Sequence, residues 1–202
     1  MKKVIATVIS SLLFLGLAGC SASEADPTYV EELIKLPDSK EVLLEHTEMI
    51  AVIKVMDTEI MEFPDAFDSK TDSQKYYIST AKIEKVFMGE QPEAQEVKIL
   101  QRGDNKTKIY KSVIYSGGYL ETEDRWLLLL NELPAEVQQQ FEETIGQIPY
   151  EVCPLVGQYK LSADDNFISI TDESKKMFGN LQSVDSMKVV CDQYLQKKES
   201  IS

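Results

Sequence analysis

An α+β fold, mainly β with flanking helices, is predicted by three features of this 202-residue sequence. Met49 to Val55 is an apolar, β-branched run too continuous for a half-exposed strand, so it reads as a central one. Tyr76 to Gly89 alternates Tyr77, Ser79, Ala81 and Ile83 against Ile78, Thr80, Lys82 and Glu84, and its phase slips once near Glu84-Lys85. Such a slip predicts a β-bulge, the device by which small barrels turn their corners. Short strands, an inserted helix and a closing hairpin then point to a small OB-like antiparallel β-barrel, closed or partly open.

The amino terminus carries Met1-Lys2-Lys3 and then Val4 to Gly16, a mostly apolar segment of 13 residues broken by Thr7, Ser10 and Ser11. A membrane span needs roughly 20 apolar residues. This shorter run, with small Ala18 and Gly19 ahead of Cys20, fits an export signal instead. Residues 1–19 are expected to be the signal peptide, cut between Gly19 and Cys20. Residues 20–26 follow as a small, polar tether, and residues 27–202 as a single barrel domain with N-terminal and C-terminal helices.

Within that domain, Asp26 as cap and Pro27 at the first helical position predict a short helix with Val30, Leu33 and Ile34 on one face, ended by Pro37. Asp38 to Glu41 has capping-box spacing, and the helix behind it groups Val42, Leu43 and His46. Asp57 to Gln74 reads as a long polar connection holding Pro64 and the acids Glu62, Asp65, Asp68 and Asp72. Glu96 to Gln101 is a strand with Val97 and Ile99 inward, turning at Gly103-Asp104-Asn105. Ile109 to Tyr115 is another, ended by Gly117-Gly118, and Trp126 to Leu130 is a buried strand. Leu133-Pro134 breaks the sheet, after which Val137, Phe141 and Ile145 recur at helical spacing in Ala135 to Ile145. Val156 to Ser162 and Phe167 to Thr171 form a hairpin, and Ser183 to Lys198 is the last helix, with Val184, Met187, Cys191, Tyr194 and Leu195 on one stripe.

Leu17-Ala18-Gly19-Cys20 resembles the lipobox of bacterial lipoproteins at all four positions. The resemblance implies lipidation at Cys20, which becomes the mature first residue, diacylated with chains such as palmitate and in some bacteria acylated on its amine as well. Two chains anchor stably where one does not. The domain is therefore expected at the cell membrane, facing the extracytoplasmic side. Further along, Tyr77 through Ile83, Val86 and Gly89, then Trp126-Leu127-Leu128-Leu129-Leu130, then Gly157-Gln158-Tyr159-Lys160-Leu161 resemble small surface lipoproteins of Gram-positive bacteria without assigned function. That likeness spans about residues 45 to 171 and departs at Met88, where those proteins often have Lys before the Gly. Such barrels look like the netrin and metalloprotease-inhibitor modules of animals, whose free amino-terminal cysteine chelates a protease metal. An acylated Cys20 offers neither thiol nor amine, so that mechanism does not carry over.

The formal charge is −13, and loss of Lys2 and Lys3 with the signal takes it to −15. Phosphate backbones are bound by clustered Lys and Arg, so nucleic acid is not an expected partner. The same charge keeps a tethered domain off anionic headgroups, leaving the lipid as the membrane contact. With Cys20 taken by lipid, Cys153 and Cys191 remain as a candidate disulfide in an exported chain, worth about 3–4 kcal/mol in the chain-entropy model; two buried free thiols are the alternative.

His46 is the single histidine, so neither a histidine zinc site nor a Ser or Cys nucleophile with a histidine base can be assembled. The acids between Asp57 and Gln74 lack the ligand order of a calcium loop. No catalytic residue, metal or cofactor is assigned. Tyr76, Tyr77, Tyr110, Tyr115 and Tyr119 lie on or near predicted strands and form a candidate ligand face, since barrels use exposed aromatics as platforms. The expected function is a non-enzymatic, lipid-anchored extracytoplasmic binding module for an envelope protein, peptide or glycan. The alternatives are an envelope hydrolase using paired carboxylates, for which 34 acids offer many pairs, and a structural accessory subunit of an envelope complex.

Overall fold

The computed structural model describes residues 28–30, 36–64, 73–104, 106, 108–110, 113–114, 117–168 and 170–200. The expected signal, its cleavage site at Gly19 and Cys20, and the tether lie outside the described residues. The rest is an α+β fold, a six-stranded sheet with four helices among the described residues, consistent with mainly β plus flanking helices.

β2 (Met49–Pro64) and β3 (Ser73–Met88) form one long antiparallel hairpin. β4 (Glu96–Arg102) pairs with β3, and β6 (Arg125–Glu132) pairs with β2, both antiparallel. β7 (Tyr150–Val152) lies between β6 and β4, antiparallel to the first and parallel to the second. The pairings thus run β2-β3-β4-β7-β6 and return from β6 to β2. Their ladders are unequal: β4 meets β7 through Ile99↔Tyr150 and Leu100↔Glu151 alone, whereas β2 and β3 pair from Ile50↔Met88 to Pro64↔Ser73. β8 (Gln158–Lys160) takes the remaining edge of β6 at its amino-terminal end.

The continuous apolar runs follow from burial on both faces. Alternate residues Ala51, Ile53 and Val55 of β2, with Trp126, Leu128 and Leu130 of β6, pack on Ala81, Ile83, Val97 and Ile99 inside the circuit of strands. Their neighbours Ile50, Val52, Leu127 and Leu129 point the other way, onto Tyr159, Leu161 and the helices. A third cluster sits at the far end of the hairpin, where Phe63, Tyr76 and Ile78 meet Val137 and Phe141 of α2 (Ala135–Ile145). The register jumps from Val52↔Lys85 to Ile53↔Ile83, leaving Glu84 as the extra residue where the sequence phase slips. Arg125 donates to Glu84 at 2.7 and 2.9 Å and to Asp165 at 2.8 Å, tying the bulge to the turn after β8.

The helices are set by their caps. α1 (Lys40–Glu45) is capped by Ser39, whose Oγ accepts from Val42 N–H at 3.3 Å, one residue later than the Asp38 spacing suggests. That shift turns Leu43 and Leu44 inward and leaves Val42 and His46 exposed. α2 ends at Gly146, whose φ of 78° is the left-handed stop that favours glycine. The expected second hairpin arm, Phe167 to Thr171, is reduced to the isolated bridge Leu161↔Phe167, and α3 (Asp172–Phe178), capped by Thr171, follows directly behind it. α4 (Val184–Glu199) begins at a reciprocal Ser183–Ser186 cap and buries Val184, Met187 and Cys191.

Three further expectations are corrected. Asp57 to Pro64 is strand, and Ser73-Gln74 already belongs to β3, so residues 65–72 are all of the expected 57–74 connection outside the described residues. Thr28–Val30 is β1, paired parallel with β5 (Lys108–Tyr110), because backbone bonds to a distant strand outweigh the local Asp26-Pro27 cap signal. Of the expected Ile109 to Tyr115 strand, Ile109 and Tyr110 lie in β5, while Val113 and Ile114 are helical. No helix among the described residues is long and apolar enough to cross a membrane.

Candidate functional site

The tyrosines expected to line an exposed face are largely interior. Tyr76 is 0%, Tyr77 7%, and Tyr110 and Tyr119 each 6% exposed, so none offers a ring to a ligand; Tyr115 lies outside the described residues. Tyr76 packs edge-on against Phe63 and Phe141, with ring centres 5.7 and 5.5 Å away. Tyr77, Tyr110 and Tyr119 do converge, but for a structural reason. The rings of Tyr77 and Tyr119 are 5.1 Å apart, the Tyr119 hydroxyl donates to the Arg102 carbonyl at 2.7 Å, and the Tyr110 hydroxyl donates to Gln74 Oε1 at 3.0 Å. Gln101 and Gln158 extend the same network: Gln101 Oε1 accepts from Leu120 N–H at 2.9 Å and its Nε2 donates to Gln158 Oε1 at 3.0 Å. These bonds fasten Tyr110, Tyr119 and Leu120 to β3 and β4, and the Gln101–Gln158 bond joins β4 to β8, as buried polar groups require. Glutamines at buried strand positions beside tyrosines were the sequence signal for this latch.

Cys153 and Cys191 are both buried in the core cluster beneath α4 and are free thiols, unbonded to each other. Cys153 Sγ donates to Asn131 Oδ1 at 3.1 Å and lies 3.8 Å from Thr47 Oγ1. Burial pushes each thiol up to about 11, which leaves negligible thiolate near neutral pH and removes both as nucleophiles. His46 stands at the carboxyl end of α1, exposed like its neighbours Glu45 and Glu48. Among the described residues no three His, Cys, Asp or Glu side chains gather as a metal site.

A groove of about 580 Å³ separates the start of α1 from α3. Leu36 and Pro37 form one apolar wall and Met177 and Phe178 the other, with Lys40 and Lys176 supplying cations. Glu41 and Glu173 are the carboxylates a hydrolytic pair would draw on there, together with Asp38. A hydrogen bond from its own backbone N–H holds the Glu41 carboxyl below its usual range, the reverse of what a proton donor at neutral pH needs. The groove was not legible in the sequence, because its walls come from residues far apart in the chain. No family model matches this chain, and no curated protein sequence matches it.

Proposed function

We propose that this chain is a lipid-anchored, extracytoplasmic interaction module, held at the cell membrane by acyl chains on Cys20 and engaging an envelope protein, peptide or glycan without catalysing a reaction. The observation that carries it is Leu17-Ala18-Gly19-Cys20, set directly behind Lys2-Lys3 and an apolar run of 13 residues. Its body is an OB-like barrel, closed through the short β4–β7 ladder; the return of the pairings from β6 to β2 supports that reading. Wide surface on a rigid strand framework, rather than a convergent set of reactive side chains, is what such a body offers a partner.

Mass spectrometry of the mature protein, extracted from the membranes of a lipoprotein-processing bacterium, tests the anchor. The expected amino terminus is a diacylated Cys20, with Cys20→Ala remaining unprocessed at Met1. A free Cys20, or a mature wild-type chain retaining residues 1–19, contradicts it. Crosslinking in intact cells, with Cys20→Ala as control, then tests whether anchoring brings a partner within reach; capture that does not depend on Cys20 removes the role of the tether.

A further inference from the structure

The point at which the chain from Cys20 joins the body is fixed by backbone pairing. β1 runs parallel to β5, with Thr28↔Lys108, Tyr29↔Ile109 and Val30↔Tyr110 in register. β5 is in turn fastened to the large sheet. Ile109 bridges Gly103, whose N–H donates to Lys75 O at 2.9 Å, and the Tyr110 hydroxyl donates to Gln74 Oε1 at 3.0 Å. The root of the tether therefore sits where β3 begins and β4 ends. Glu90 lies just past the other end of β3, a strand of 16 residues that measures about 50 Å along its length at 3.3 Å per residue.

We propose that the β1–β5 end of the domain is its membrane-facing surface, with the bilayer as its partner, and that the end carrying Glu90 faces away. This rests on the lipid-anchor reading and gives the interaction module an orientation. Seven residues, Ser21 to Pro27, separate Cys20 from Thr28, so the distance between those two is at most about 29 Å even when the chain is fully extended. Compact-domain scaling makes a body of residues 27–202 about 40 Å across. The reach is shorter than the body. A root on the side remote from the bilayer would need a tether long enough to pass around the domain, so the root faces the lipid. Charge acts in the same direction. At −15 without Lys2 and Lys3, the body is repelled within about 10 Å of an anionic leaflet, which opposes any tilt that lays the domain flat. An envelope partner then meets the outward end, while the bilayer shields the β5 side.

The test is energy transfer from a single dye on the full-length mature protein to a rhodamine lipid in preformed vesicles of phosphatidylcholine and phosphatidylglycerol. The dye is placed on Lys106→Cys or on Glu90→Cys; both positions are exposed, and Cys153 and Cys191 are buried thiols that a maleimide does not reach. Lys106 stays within about 12 Å of Thr28, given a strand spacing of about 4.8 Å and two residues of chain before Lys108. Transfer from Lys106 is expected to be at least about twofold more efficient than from Glu90. A Gly-Ser insertion of about 20 residues after Ser23 should bring the two together, because a tether of about 90 Å contour no longer restricts which side meets the bilayer. Equal transfer from the two sites before the insertion, or more from Glu90, overturns the proposal. A contrast unchanged by the insertion overturns the tether as its cause. Mass spectrometry of the same sample separates the two readings: a diacylated Cys20 with Glu90 nearer the lipid defeats the orientation alone, and an unmodified Cys20 defeats the anchor on which it rests.

Discussion

The two halves of β2 show how one strand serves two purposes. Its first half, Met49 to Val55, is bonded on both edges and apolar except for Lys54, which pairs with Glu123 at 2.7 Å. Its second half keeps the ladder to β3 but loses β6, and its sequence becomes Asp57-Thr58-Glu59-Ile60-Met61-Glu62, with acids at solvent-facing positions. Inside the circuit of strands, side chains are selected for volume; beyond it, for exposure to water. Only Phe63 is buried again, where α2 reaches over the far end of the hairpin.

Truncations test this contrast most strongly at its two anchors. Phe141→Ala removes a fully buried ring 4.5 Å from Phe63 and should cost about 3–5 kcal/mol in urea unfolding. The hairpin's second half and α2 should then lose amide protection before the strands around Ile53 do. Ile53→Ala, at 0% exposure inside the circuit, should cost about 2–5 kcal/mol and lower the whole molecule together. If Phe141→Ala instead left the far end as protected as the rest, the third cluster would not be the support of the second half.

A smaller effect is expected in alkali. Burial raises the Cys153 thiol from 9.0 to about 11, so between those values the unfolded chain has lost a proton that the folded chain keeps. Fewer protons bound in the unfolded state means stability falls as pH rises, with a limiting slope of about 1.4 kcal/mol per pH unit. The contribution is fully present below pH 9 and is lost as pH climbs through about 11. Unfolding free energies from urea titrations at pH 8 and pH 10 should therefore differ by about 1 kcal/mol from this thiol, and Cys153→Ala should remove that share of the difference, leaving the one due to Cys191. Smallest of all is Ile60→Ala, expected within about 0.5 kcal/mol of wild type, since the side chain it removes is 42% exposed.

Legibility in the sequence followed the same division. α2 and α4 were readable to the residue or nearly so, because Val137, Phe141 and Ile145, and Val184, Met187 and Cys191, keep helical spacing behind clear start signals. The slip at Glu84 was readable because a bulge changes the phase of a side-chain pattern. The second half of β2 was not, because Asp57, Glu59 and Glu62 mask an alternation that needs only one buried residue, Phe63, to hold. β7 has three residues and borrows its identity from β4 and β6, and α3 buries little beyond Ser174. The tyrosines were visible as a set, yet a count of aromatics does not say which side of the sheet the chain from Tyr110 to Leu120 will cross. The lipobox needed no fold to be read, since it is a local signal for processing rather than for packing.

Native-state amide exchange resolved to single residues measures the contrast within β2 most directly. The amides of Ile50 to Lys54 should exchange only through global or near-global unfolding, while Ile60, on the same strand, should exchange orders of magnitude faster. Equal protection of Ile60 and Ile53 would contradict the difference in strand neighbours, β3 and β6 at Ile53 and β3 alone among the described residues at Ile60, as the cause of the contrast.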